Sequence, residues 1–62
     1  MDEPTKEDLE EALRTISSLV HKIEKAKEHL AQGTSQWTLA KNRLKALRIA
    51  SSLVTKSLED IH

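Results

Sequence analysis

The chain's sequence predicts an all-α antiparallel two-helix hairpin that dimerises into a four-helix bundle. Three observations carry this. Two stretches of apolar residues recur with alternating spacings of four and three. The only glycine, Gly33, lies between them. Folding the chain at that glycine brings the two apolar series into register.

The first helix is expected over about residues 5–32. Thr5 follows Pro4 and offers a side-chain oxygen to the free amides of a first turn, and Asp8 stands three residues on, where a capping-box partner belongs. Glu7, Asp8, Glu10 and Glu11 then suit the positive end of the helix dipole. The apolar rhythm runs through Leu9, Leu13, Ile16, Val20, Ile23 and Leu30, with Lys27 as its one polar interruption. Gly33 takes a left-handed C-cap conformation without strain, so the helix is expected to stop near Gln32.

A loop of residues 33–35 follows, with Thr34 or Ser35 as the cap of a second helix running over about 35–60. Its seam is Trp37, Ala40, Leu44, Leu47, Ser51, Val54, Leu58 and Ile61. Both series have the spacing of left-handed antiparallel packing. Pairing positions whose numbers sum to 67 sets Leu30 against Trp37, Lys27 against Ala40, Ile23 against Leu44 and Val20 against Leu47. Ile16 then meets Ser51, Leu13 meets Val54, and Leu9 meets Leu58. Lys27 is expected to extend past the small Ala40 to water. Trp37 reads as a plug closing the loop end against Leu30.

The two flanks of this seam differ. Glu10, Ser17 and Glu24 face Thr55, Arg48 and Lys41, a polar edge on which Glu24 and Lys41 are expected to pair. The other flank sets Ala12, Leu19 and Ala26 against Ser57, Ala50 and Arg43, with Leu39, Ala46 and Leu53 beside them. One partner helix cannot cover so wide an apolar arc. The expected oligomer interface is therefore Ala12, Leu19, Ala26, Leu39, Ala46, Ala50 and Leu53. A second copy is the first expectation for the partner, making a homodimer, with a heterologous helical protein as the alternative.

Composition points the same way. A chain of 62 residues has room for one small domain, and with no cysteine it has neither disulfides nor thiolate metal sites to stabilise it. Small chains without such staples usually associate. No apolar stretch is long enough to span a membrane, and the start, Met1-Asp2-Glu3-Pro4, has no apolar leader, so a cytoplasmic protein is expected. Lysine and arginine together balance aspartate and glutamate at ten each, but unevenly along the chain. Residues 1–14 hold six acids and two bases, and residues 33–50 hold four bases and no acid. Two hairpins packed antiparallel would set the acidic open end of one beside the basic loop end of the other.

Two clusters invite a chemical reading. Lys41, Arg43, Lys45 and Arg48 form a basic cluster, joined at the loop end by Lys22, Lys25 and Lys27, and of these Lys41, Lys45 and Arg48 fall on one stripe that could follow a phosphate backbone. A nucleic-acid-binding regulator is thus the alternative function, although aromatic residues for base stacking are lacking. Hairpin dimers that bind RNA and regulate plasmid copy number share this architecture in outline only, without a motif match. His21, Glu24, Glu28 and His29 resemble ligands, yet the first three share a face directed away from the seam, and a metal site needs converging ligands. Exposed helix polarity is the better reading. No cofactor or metal is expected. The serines have no base and orienting acid beside them, so no catalytic residue is assigned and an enzyme is not expected.

The run Gly33-Thr34-Ser35-Gln36-Trp37-Thr38-Leu39, followed by Lys41-Asn42-Arg43-Leu44-Lys45-Ala46-Leu47, resembles a segment of small two-helix proteins of Gram-positive bacteria. The resemblance covers the loop and second helix, more loosely the first. It implies a bacterial cytoplasmic setting and brings no catalytic residues or function with it. The expectation is a non-enzymatic protein–protein interaction module.

Overall fold

A computed structural model describes residues 3–61, so Met1, Asp2 and His62 lie outside the described residues, and with them the first two residues of the acid-rich stretch 1–14. It consists of α1 (Lys6–Glu28) and α2 (Ser35–Glu59), packed against each other along their lengths, with no strand among the described residues. The body is elongated, 45 × 20 × 14 Å.

α1 begins as its sequence dictates. The Thr5 hydroxyl accepts from the Asp8 N–H at 3.1 Å, and the Asp8 carboxylate accepts from the Thr5 N–H at 3.0 Å. Both halves of the capping box are present, satisfying two amides that the first turn would otherwise leave open.

The other end of α1 departs from expectation. The helix stops at Glu28, four residues before Gln32, and the connection is correspondingly longer than residues 33–35. The last turn tightens, with the N–H of His29 donating to Ala26 O and that of Leu30 to Lys27 O, each three residues back. Leu30 leaves the helix but stays half-buried, so the apolar rhythm outlasts the helix that was inferred from it.

Gly33 belongs to a separate reversal. The Thr34 N–H donates to Ala31 O at 3.2 Å, closing a four-residue turn in which Gly33 is third, with φ of +89°. That is the position at which a type II turn requires positive φ. A Cβ at Gly33 would meet nothing within 4 Å, so the demand for glycine is conformational and not a matter of space. Thr34 then begins α2. Its hydroxyl donates to Ala31 O at 2.7 Å and accepts from the Trp37 N–H at 3.2 Å. Of the two candidate caps, Thr34 is the one used.

Burial follows the two seams. Leu9, Ala40 and Leu44 are buried, and Leu13, Ile16, Val20, Ile23, Lys27, Leu30, Trp37, Leu47, Ser51, Val54 and Leu58 are all half-buried. Ile61 is the exception and stands exposed beyond the end of α2. At a register sum of 67 it falls level with Lys6, where α1 offers nothing apolar to cover it. The core is thin: among the described residues no side chain is completely removed from solvent, and Leu44 comes nearest at 4% exposed.

Candidate interaction surface

Once the seams are matched, each helix retains a second stripe of alternating three- and four-residue spacing. On α1 it runs Asp8, Ala12, Thr15, Leu19, Lys22, Ala26; on α2 it runs Gln36, Leu39, Arg43, Ala46, Ala50, Leu53, Ser57, Asp60. Residues so spaced lie one above another on a helix. The two stripes border the same side of the seam. At the loop end Lys22, Ala26, Leu39 and Arg43 line one shallow depression, floored by Ile23, Leu30 and Ala40.

The seven expected interface residues lie on these two stripes and differ in exposure, and Leu53 also lines the groove that holds Lys41, Lys45 and Arg48. Leu19, Leu39 and Leu53 stand 41%, 49% and 61% exposed, and Ala26 and Ala46 are exposed beside them. Ala12 and Ala50 are half-buried, because the hairpin's own packing already covers one side of each. Ile49, 53% exposed, was not among the seven. It lies three residues after Ala46 and four before Leu53, so it broadens the apolar strip on the outer face of α2.

The basic residues do not form one cluster. Lys41, Lys45 and Arg48 line a single groove together with Lys27, Ile49 and Leu53, whereas Arg43 and Lys22 border the depression on the other side of the seam. The expected Glu24–Lys41 pair is replaced by Glu24–Arg48, at 3.1 Å, with both side chains largely in solvent. Arg48 lies on the same stripe as Lys41, and its longer planar fork can reach the carboxylate; a pair this exposed is worth at most about 1 kcal/mol.

Lys41 is directed elsewhere. Its ammonium lies 5.5 Å from the Trp37 ring centroid, and that of Lys27 lies 4.8 Å from it. The electron-rich ring face attracts both. Lys27 therefore leans on Trp37 where the sequence suggested it would pass Ala40 to water.

Among the described residues no group of three or more His, Asp or Glu side chains is placed to hold a metal ion, and no helix is long and apolar enough to cross a membrane. Comparison of the chain with protein-family models, curated proteins and solved structures found no match.

Proposed function

We propose that this chain is a non-enzymatic protein–protein interaction module that self-associates through the flank carrying Leu19, Leu39, Ala46 and Leu53, two hairpins forming a four-helix bundle. The observation that carries this reading is the contrast between core and surface. Among the described residues three are buried, whereas five large apolar side chains (Leu19, Leu39, Ile49, Leu53 and Ile61) are 40% to 61% exposed. Fully burying a leucine or isoleucine side chain is worth roughly 1.5–3 kcal/mol, so closing this flank adds stability on the scale of a small domain's whole margin. The alanines on it let a second backbone approach closely. A cytoplasmic, bacterial setting belongs to the same proposal.

The nucleic-acid alternative finds less support. Its basic residues divide between two flanks, Arg48 is engaged by Glu24, and the one aromatic ring is occupied by two ammonium groups.

Light scattering over a range of concentrations tests the proposal. The expected mass is twice the 7.0 kDa of the chain, falling to the monomer value or giving way to unfolding in Leu19→Glu and Leu53→Glu. Unchanged mass and melting temperature in both variants would overturn the assignment of this face.

A further inference from the structure

The interaction flank is apolar in its middle and charged only near its ends, and the signs are sorted. Asp8 on α1 and Asp60 at the end of α2 stand near the open end of the hairpin. Their numbers sum to 68, so they are level with each other. Lys22 and Arg43, with numbers summing to 65, are level near the loop end and border the same depression. No other residue of the two stripes between these pairs carries a formal charge.

This pattern decides how a second copy can lie on the flank. Two hairpins placed side by side with their loops together would set Lys22 and Arg43 against the same two bases, and Asp8 and Asp60 against the same two acids. Like charges brought together at an interface cost free energy, and this arrangement does so at both ends. Turning one hairpin end over end sets each acidic pair opposite a basic pair. A two-fold axis across the middle of the flank satisfies both ends at once, because an isologous contact repeats every pairing. In that arrangement Leu19 falls level with Ala12, and Leu53 with Ala50, a large side chain meeting a small one each time.

Resting on the self-association reading above, we infer that the partner is a second copy of this chain docked antiparallel, with Asp8 and Asp60 of each hairpin against the partner copy's basic pair.

The chain has no cysteine, so Thr38→Cys, at an exposed position near the loop and off the apolar stripes, takes a single nitroxide label. The midpoint of the charged stripe on α1 lies at about residue 15, and Thr38 is level with about residue 29. Antiparallel copies then separate their labels by roughly 28 helical rises, about 40 Å or more, whereas loops placed together hold them within about 30 Å. Dipolar spectroscopy should return the long distance. A second variant, Lys22→Glu with Arg43→Glu, should weaken dimerisation at least tenfold at low salt, the difference narrowing as salt is added.

A short distance in a protein of dimeric mass, with no loss in the double variant, would overturn the orientation and leave self-association standing. A monomeric mass with no intermolecular coupling would overturn both. If the double variant fails to fold, the distance in the labelled protein still decides.

Discussion

Thr34 joins two structures that the sequence treats as one. Its hydroxyl bonds backward to Ala31 O and forward to the Trp37 N–H, so one oxygen both closes the Ala31–Thr34 turn and caps α2. Thr5 performs the capping task alone, with Asp8 returning the bond. Thr34→Ala should therefore cost about 1–2 kcal/mol, and more than Thr5→Ala, measured by urea denaturation at one protein concentration. Equal losses would mean that the backward bond to Ala31 contributes nothing. The capping box was readable from spacing alone, because Thr and an acid three residues apart satisfy one another locally. The choice of Glu24 between Lys41 and Arg48 was not: it turns on how far each side chain reaches and on the competing attraction of the Trp37 ring.

Within the helices, the seam was legible because burial imposes a period that survives in the sequence. Every seam position from Leu9 to Leu30 and from Trp37 to Leu58 is at least half-buried, Lys27 and Ser51 included. The end of α1 was not legible, since Leu30 continues the rhythm from outside the helix and periodicity cannot distinguish the two. Gly33 was correctly marked as special, but its positive φ serves the turn and not the helix terminus. The division of the basic residues was legible too, since the spacing of Arg43, four from Leu39 and three from Ala46, places it on the apolar stripe and apart from Lys41 and Arg48. Ile49 carried a similar signal through its spacing to Ala46 and Leu53. Leu44 is the most buried side chain, so Leu44→Ala should be the costliest single truncation in the seam, at about 2–3 kcal/mol. A loss below that of Leu13→Ala, which starts half-buried, would mean that the core is centred elsewhere along the hairpin.

At the scale of the molecule, the governing fact is how little the hairpin hides. An extended body of 45 × 20 × 14 Å built from two helices has a seam but no interior. The proposed bundle supplies that interior by making the exposed flank a second seam. Stability then becomes coupled to mass action, since binding to the folded form shifts the folding equilibrium with partner concentration. The midpoint of thermal unfolding should rise steadily as protein concentration is raised from micromolar to millimolar, followed by circular dichroism. A midpoint independent of concentration, with a monomeric mass, would mean that the hairpin holds itself together unaided.

The thin core also bears on how such a protein would be regulated by supply. A chain that completes its fold on meeting a copy of itself has a folded fraction set by its own rate of synthesis. Newly made molecules would remain open to proteases until their number crossed a threshold. Halving expression would then remove more than half of the assembled form, because the rare chains lose both their partner and their protection. Under the proposed assembly, the same apolar side chains that join two hairpins would also make their abundance self-sharpening.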